Sequence, residues 1–517
     1  MMKKLAVVTA IIAGILASSF SVSAQYKTEN PEVQTILEAA DSAETPVVIT
    51  LEQALKIGLS ENVSVKVADM EIERTGFAKK GTYAALFPQI DASGSFQRTI
   101  KKQVMYMDFD MGALGGGAGA GAGAGSGESS GEGAGTGAGT GTGAGTGTGA
   151  GAGADAGAGA GASSNGGGFE VGRWNNFSAG VSASMPLVNA QLWKSLAISG
   201  LDVELAVEKA RSSRLDMVTQ VKSAFFSTLM AKEAFDVYKQ VYENAAQNLA
   251  ETQKRYNAQK ASEMELIRAK TTVANAIPNV YNAESSVILA LWQLKAVLGV
   301  DLDMNLDVAG RLSDYAEHML YDIKENEEIS LDRNTTMKQL AIQAEMLSET
   351  IKLQKYATLP SLAMVFNYSI NAMTNDFNFS EYRWTPYSVV GFSLSIPIFA
   401  GGKRYNQIRQ AKNQYEQVKL QTVNTERQLK IAIRQSLATM ETSMKSYYAA
   451  QDAVASAQKG YDITEASYKV GGSTLIELND AQLALTQSRL AESQAILSFL
   501  NAKTQLEQTL GQDFIAE

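Results

Sequence analysis

The feature that most constrains the fold of this 517-residue chain is an internal repeat. Three pairs of landmarks recur at one offset of 212 residues: Tyr256 and Tyr468, Leu266 and Leu478, Gly299 and Gly511. Two further pairs are offset by 211 and 272 residues: Pro186 and Pro397, Pro88 and Pro360. The excess of the last offset is close to the length of a Gly/Ala-rich tract, Gly112–Gly168. Because repetition sets architecture, we expect two copies of one unit, residues 25–299 and 331–517, with the tract inserted in the first.

The amino terminus has the pattern of a secretory signal. Lys3 and Lys4 precede an apolar run to about Phe20 and small residues up to Ala24, which predicts a signal peptide over residues 1–24. The apolar run is shorter than the roughly 20 residues that a membrane-spanning helix needs. Removing both lysines moves the formal net charge from −9 to −11, which argues against nucleic acid as a partner. Because the chain has no cysteine, disulfides and thiol chemistry are excluded.

Four segments alternate apolar and small polar residues with a period of two, which is typical of strands that bury one face. They form two pairs, 90–98 with 176–187 and 362–371 with 390–398. Aromatic residues lie near their ends: Trp174, Phe177, Tyr382, Trp384, Tyr387 and Phe399. A soluble sandwich would show the same alternation. Aromatic girdles together with an export signal favour strands of an outer-membrane barrel that face lipid.

Four strands cannot close a barrel around a lumen, and unpaired backbone groups facing lipid cost several kcal/mol each. The chain must therefore share its barrel with other copies. Two strand pairs per chain predict about three chains and about twelve strands, a homotrimer embedded in outer-membrane lipid.

The remaining sequence predicts long helices, since it is rich in Ala, Gln, Glu, Lys and Leu with few breakers. The expected helices in the two repeats are Thr50–Ala85, Pro186–Tyr256, Ala261–Leu298, Leu331–Leu359, Gly402–Tyr468 and Thr474–Leu510. Two short helices placed end to end match one long helix in length, which suits a coiled-coil-like wall. Pro278 should bend its helix or mark a tolerated kink.

Two motifs resemble the TolC-type outer-membrane efflux family. Phe392–Lys403 turns from a strand through proline into a long helix, and Ser467–Gln482 joins two helices through Gly471 and Gly472. The resemblance covers nearly all of the mature chain. It implies an α+β membrane protein: a trimeric twelve-stranded barrel, four strands per chain, continuous with a long α-helical periplasmic tunnel. Such a duct passively conducts drugs or other small molecules outward, docked to a periplasmic adaptor protein and an inner-membrane pump that is proton-driven or of the ATP-binding cassette type.

The resemblance also assigns residues at the periplasmic end of the tunnel. Glu477 and Asp480 match the carboxylates that ring the aperture, and they share one helix face because they are three residues apart. Three copies would give an acidic ring that attracts cations. Tyr468 and Glu265 match the hydroxyl and the acid that latch the closed state. This chain departs from the family because the latch acid is glutamate rather than aspartate, and Ser473 occupies the position of the gate arginine.

The two turns at this end are expected to contact the adaptor. The second turn, Val470-Gly471-Gly472, has glycines that suit a tight helix-to-helix connection. The first turn runs from Asn257 past Lys260 and lacks glycine, so Asn257 is expected to supply the left-handed residue.

Two segments outside the repeats have simpler interpretations. Gly112–Gly168 lies between the first two strands and is expected to be a flexible extracellular loop. Residues 300–330 join the repeats, and the resemblance places them as a belt around the tunnel. His318 in that segment has no metal-ligand neighbours, so we expect neither a metal site nor a cofactor.

No enzymatic constellation is present, since the glycine tract lacks the Lys-Ser/Thr of a phosphate-binding loop and the chain has one histidine. Two alternatives to small-molecule efflux remain open at this point. One is the exit duct of a type I protein secretion system, and the other is a trimeric surface adhesin that acts through the Gly/Ala-rich loop.

Overall fold

The computed structural model describes residues 31–42, 46–105, 169–319, 330–378 and 381–512. The predicted signal peptide and the Gly112–Gly168 loop lie outside the described residues, and residues 300–330 are described only in part. The chain divides into two compact units. The sheet unit comprises the described residues of Gln89–Ser184 and Met364–Phe392, and the helical unit comprises the described remainder.

Eight α-helices account for most of the described chain. They are α1 Pro31–Ser42, α2 Leu51–Glu61, α3 Val63–Ala84, α4 Ala190–Asn257, α5 Glu263–Leu298, α6 Thr335–Tyr356, α7 Lys403–Val470 and α8 Leu475–Leu510. Helices α4 and α7 have 68 residues each, or about 102 Å at 1.5 Å per residue. Helices α5 and α8 have 36 each, and α3 and α6 have 22 each.

The single helix expected over Thr50–Ala85 is instead two helices that meet at Asn62, which corrects the sequence-based prediction. Asn62 has an extended backbone (φ −60°, ψ 127°). Its side-chain oxygen accepts from the Ser64 N–H at 2.8 Å and so caps the second helix, while its amide donates to the Val297 carbonyl at 2.7 Å. Asparagine competes with the helical backbone in this way, and that competition ends the first helix.

The same arrangement occurs at Asn334, which caps α6 by accepting from the Met337 N–H at 2.9 Å and donates to the Thr509 carbonyl at 2.7 Å. Each asparagine packs against a glycine that ends a 36-residue helix. Gly299 (φ +79°) lies against Glu61 and Asn62, and Gly511 (φ +68°) lies against Arg333 and Asn334. The left-handed backbone and the lack of space for a Cβ both require glycine here.

The eight strands are mostly short, and four of them form one sheet. The strands are β1 Val47–Ile49, β2 Gln89–Arg98, β3 Gln103–Met105, β4 Phe169–Val171, β5 Asn175–Val188, β6 Leu306–Val308, β7 Ser361–Thr374 and β8 Thr385–Ser395. The four-stranded sheet has the order β2-β5-β7-β8. Strands β2 and β5 are antiparallel, from Gln89↔Ser184 to Arg98↔Asn175. Strands β3 and β4 form a separate antiparallel pair. Within the described chain, β2 and β8 are the two outer strands of the sheet.

Two predicted boundaries shift by a few residues. Strand β5 continues through Pro186 to Val188, so α4 begins at Ala190 rather than near Pro186. Proline is tolerated there because the ladder with β2 ends at Ser184. Strand β8 lies at Thr385–Ser395 instead of 390–398, and it ends before Pro397, which has no N–H to donate.

The largest apolar cluster joins α2, α4, α5 and α8 within the helical unit. Leu55, Ile57, Phe225, Leu298 and Phe499 are fully buried in it. Strands β1 and β6 pair in parallel beside it, and a 3₁₀ helix, Leu312–Met319, follows β6. Helix α1 and strand β1 were not predicted from the sequence. Among the described residues, no helix combines the length and the apolar character that crossing a bilayer requires.

Candidate gate at the helix-turn-helix tips

The turn between α7 and α8 is a glycine-capped helix end. Gly471 has φ +82°, the Gly471 N–H donates to the Tyr468 carbonyl at 3.0 Å, and the Gly472 N–H donates to the Ser467 carbonyl at 2.8 Å. A donor reaching back five residues, with a left-handed residue before it, is the Schellman pattern. The preceding Val470 side chain is 86% exposed, so this turn presents an apolar side chain to solvent.

The turn between α4 and α5 uses the same pattern without glycine. The Lys260 N–H donates to the Arg255 carbonyl at 2.7 Å, and the left-handed residue is Gln259 (φ +56°). The expectation that Asn257 would supply this residue is therefore wrong. Asn257 is the last helical residue, and its side-chain oxygen accepts from Gln253 Nε2 at 3.0 Å. Lys260 and Asn257 are both exposed on this turn.

Each following helix begins with a capping box. Ser262 and Glu265 cap α5, and the Ser262 N–H donates to Glu265 Oε2 at 3.1 Å. Thr474 and Glu477 cap α8, and the Thr474 N–H donates to Glu477 Oε2 at 2.8 Å. The reciprocal bonds satisfy backbone donors that a helix start would otherwise leave unpaired. Both predicted gate glutamates therefore have a local structural task.

Tyr468 is the buried centre of the contact between the two tips. Its side chain is 2% exposed, and its hydroxyl hydrogen-bonds Thr252 Oγ1 at 2.8 Å. The Arg255 guanidinium lies over the Tyr468 ring at 5.2 Å and donates to the Tyr468 carbonyl at 3.1 Å. One tyrosine thus accounts for three contacts from α7 to the end of α4.

The structure does not join Tyr468 to Glu265 by a hydrogen bond. The hydroxyl is bonded to Thr252, and the Glu265 carboxylate accepts from Ser262. The predicted latch between these two residues stays a prediction, and it requires Glu265 to leave its capping box.

Sequence reasoning missed Thr252 and Arg255 as gate residues. Arg255 directly precedes Tyr256, the residue that the 212-residue offset pairs with Tyr468, so its position near the tip could be inferred. Thr252 gives no signal in the sequence, because its importance arises from a contact across 216 residues.

Glu477 and Asp480 lie on the exposed side of the first turns of α8. Leu475 and Leu478, on the same turns, are buried in a small apolar cluster with Tyr461 and Tyr468. The acidic pair is therefore directed away from the packed side of the tip. Among the described residues, no group of three or more His, Cys, Asp or Glu side chains could hold a metal ion.

Polar contacts between the two helical hairpins continue along the shafts beyond the tip cluster. Asn479 Nδ2 donates to Thr272 Oγ1 at 3.1 Å, and Asn244 Nδ2 donates to Gln482 Oε1 at 3.0 Å. Burial, followed by the charges of Glu465 and Asp462, raises the pKa of Tyr461 to about 12. Tyr461 therefore stays neutral at ordinary pH and serves as a packed member of the cluster.

Comparison with known proteins assigns the chain to a family. The family model for outer membrane efflux proteins matches residues 153–300 and 328–512. The outer membrane protein TolC of Vibrio cholerae is 22% identical over 342 residues, which cover 65% of this chain and 76% of that protein. The proteases secretion protein PrtF of Dickeya chrysanthemi is 21% identical over 350 residues, which cover 65% of this chain and 73% of that protein.

A solved structure shows the same fold. The outer membrane channel CmeC of Campylobacter jejuni superposes with a TM-score of 0.62 at 16% sequence identity, over 91% of this chain and 89% of that chain. The family match covers well over half of the sequence and includes both tips. The chain therefore belongs to the outer membrane efflux protein family and is an exit duct of the outer membrane whose helical part lies in the periplasm.

Proposed function

We propose that three copies of this chain form one duct, with a closed twelve-stranded barrel in the outer membrane and a periplasmic tunnel of long helices. The observation that carries the proposal is the four-stranded sheet, whose outer strands β2 and β8 have no further strand beside them in the described chain. Open edges are costly in lipid, and pairing β8 of one copy with β2 of the next removes them.

The two repeats give each copy a pair of equivalent wall segments. Support comes from the matched lengths of α4 with α7 and of α5 with α8, and from the equivalent contacts of Asn62 and Asn334. Three copies would then place six such segments around the axis.

In this proposal the duct is passive and carries no catalytic centre. An inner-membrane pump supplies the energy, and a periplasmic adaptor docks at the exposed tips, at Val470, Gly471 and Gly472 and at Asn257 and Lys260. The cargo is a drug or another small molecule. The likeness to PrtF supports protein secretion as the second candidate function. The segment on which an adhesin would depend, Gly112–Gly168, lies outside the described residues.

Glu477 and Asp480 would form the narrowest ring of the closed duct. They are exposed, three residues apart and opposite the buried leucines of the tip. Six carboxylates from three copies repel one another and attract cations. The closed duct should therefore prefer cations and be blocked by multivalent ones.

The contact of Tyr468 with Thr252 and Arg255 would hold this aperture closed. The three contacts cross from the second hairpin to the first, so the hairpins cannot separate while they persist. Arg255 would supply the positive charge that the family places at the position of Ser473.

The aperture ring is tested by removing its charge while keeping its hydrogen bonds. Glu477→Gln retains the capping box, because glutamine serves there as well as glutamate, and Asp480→Asn keeps the side-chain shape. In planar-bilayer recordings the double variant should lose cation preference and block by multivalent cations. The control is Glu441→Gln/Asp452→Asn, which removes two exposed carboxylates from the middle of α7. Wild-type selectivity and block in the first double variant would show that the aperture lies elsewhere.

A further inference from the structure

A row of aromatic side chains crosses one face of the sheet unit. The rings of Phe96 and Phe177 stack with centroids 4.7 Å apart, Phe177 lies 5.4 Å from Tyr382, and Tyr382 lies 6.4 Å from Trp384. Phe96 is near the end of β2, Phe177 near the start of β5, and Trp384 directly precedes β8. The row therefore lies at one end of the sheet.

Cationic side chains lie just beyond this row. Arg98, on the same face of β2 as Phe96, has its guanidinium carbon 5.8 Å from the Phe377 ring centroid, and Phe377 in turn lies 6.1 Å from Phe96. The Lys102 ammonium lies 4.8 Å from the Trp174 ring centroid. Arg173 Nη1 donates to the Met373 carbonyl at 3.1 Å.

The charge balance at this end of the sheet is positive. Within the described residues five cations, Arg98, Lys101, Lys102, Arg173 and Arg383, stand against three carboxylates, Glu170, Asp376 and Glu381. The Asp376 carboxylate already accepts from Thr374 Oγ1 at 2.7 Å and from the Asn378 N–H at 3.3 Å. None of the five cations forms an ion pair with a described residue, and all but Lys102 are well exposed.

This order of side chains matches the layers of a membrane leaflet. Aromatic rings favour the boundary between acyl chains and headgroups. Lys and Arg beyond that boundary attract anionic headgroups, and the guanidinium fork suits phosphate oxygens in particular. A ligand with phosphates at the level of the cations and acyl chains along the aromatic row would satisfy both groups.

We propose that this surface, Arg98, Lys102 and Arg173 with the aromatic row, binds the phosphate groups of an anionic outer-membrane lipid. The inference rests on the proposed barrel, in which the aromatic face is turned to lipid. In that topology this end of the sheet joins Gly112–Gly168, the expected extracellular loop, so the lipid belongs to the outer leaflet.

The test measures lipid binding to the purified full-length protein in detergent by native mass spectrometry, with diphosphorylated lipid A as the probe. Replacing all three cations, as Arg98→Gln/Lys102→Gln/Arg173→Gln, should weaken the affinity about a hundredfold, since each cation near an anionic surface contributes about a factor of five. Arg98→Gln alone should weaken it about fivefold and remains informative if the triple variant folds poorly.

Three comparisons make the result specific. The control variant Lys270→Gln/Lys412→Gln/Lys459→Gln, which removes three exposed cations of the helical unit, should bind the lipid as the wild type does. Lipid A without phosphates should bind the wild type about as weakly as the phosphorylated lipid binds the triple variant. Inorganic phosphate should not displace the lipid.

Equal lipid binding by the wild type and by a folded triple variant would overturn the proposal, and so would displacement by inorganic phosphate. The same spectra give the number of chains in each particle. A loss of lipid binding in an intact trimer and a failure to assemble are thereby distinguished, so the lipid site and the proposed duct can fail separately.

Discussion

Tyr256 and Tyr468 occupy equivalent positions in the sequence repeat but have different environments. Tyr468 is buried and hydrogen-bonded to Thr252, whereas Tyr256 is 38% exposed. Arg255, adjacent to Tyr256, reaches across to Tyr468. The gate therefore arises where the repeat is unequal, because one tyrosine is packed between the hairpins and the other remains at the surface.

The bond between Tyr468 and Thr252 makes an ordered prediction about opening. In Thr252→Val the buried phenol loses its partner, which costs about 1–3 kcal/mol in the closed state. In Tyr468→Phe, Thr252 still donates to the Asn248 carbonyl at 2.7 Å, so the cost is smaller. Replacing both partners with apolar groups is nearly neutral for such a pair. Mean conductance should therefore rise most in Thr252→Val, less in Tyr468→Phe, and less in the double variant than in Thr252→Val.

Single-channel recording in planar bilayers measures this order. Thr271→Val is the matched control, because the Thr271 hydroxyl donates only within its own exposed helix turn, to the Ile267 carbonyl. Additive effects of the two substitutions would mean that the bond does not hold the gate.

Glu492 predicts a pH dependence of stability. Burial raises the pKa of Glu492, the nearby Glu233 carboxylate raises it further, and Arg489 opposes the rise. The charged form is thus disfavoured in the folded state. A carboxyl group with a raised folded-state pKa contributes stability below its ordinary value of 4.5, and this contribution is lost as the pH rises through the folded-state pKa.

Glu492→Gln should therefore raise the melting temperature of the detergent-purified protein at about pH 8 and change it little at about pH 4. Glu441→Gln, at an exposed position of α7, is the control and should show no such divergence. A larger gain at the acidic pH would contradict the assigned direction.

At the scale of elements, helix ends determine how the helical unit is assembled. Gly299 and Gly511 end α5 and α8 in left-handed conformations. A Cβ at Gly299 would lie 2.7 Å from the Glu61 carbonyl oxygen, and a Cβ at Gly511 would overlap the Arg333 backbone. Real Cβ atoms do not approach backbone so closely, so each glycine fixes the distance between two helices.

Substituting these glycines should have opposite effects from substituting a helical one. Gly299→Ala and Gly511→Ala should each destabilise the protein by at least about 1–2 kcal/mol, since alanine is strained in the left-handed region and must also displace backbone. Gly460→Ala, in the interior of α7 with open space around it, should stabilise by about 1 kcal/mol. Melting temperatures of the three variants would check the sign, and a stabilised Gly511→Ala would refute the packing argument.

Much of this level could be predicted from the sequence, for physical reasons that differ between elements. The long helices and the four strands of the sheet have enough residues for a clear period, and Gly299, Gly471 and Gly511 mark helix ends. Strands β1 and β6 have three residues each, too few for a period to show. The break at Asn62 was missed because it depends on a bond to Val297, 235 residues away. The contact of Thr252 with Tyr468 was missed for the same reason.

For the whole molecule, the central claim is that the sheet of one chain is a third of a closed barrel. The sheet ends in β2 on one side and β8 on the other, and the account requires these strands to pair between neighbouring copies. The absence of cysteine from the native sequence makes this directly measurable, because every disulfide must then come from introduced residues.

The most direct test introduces Ser93→Cys in the middle of β2 together with Gly391→Cys, Ser393→Cys or Ser395→Cys in β8. These positions belong to the small polar face of their strands, and the three partners scan the unknown register. After oxidation in the outer membrane, at least one pair should give a covalent trimer on a denaturing gel, and the single-cysteine variants should stay monomeric. Monomers from all three pairs, in protein that reaches the outer membrane, would contradict the account.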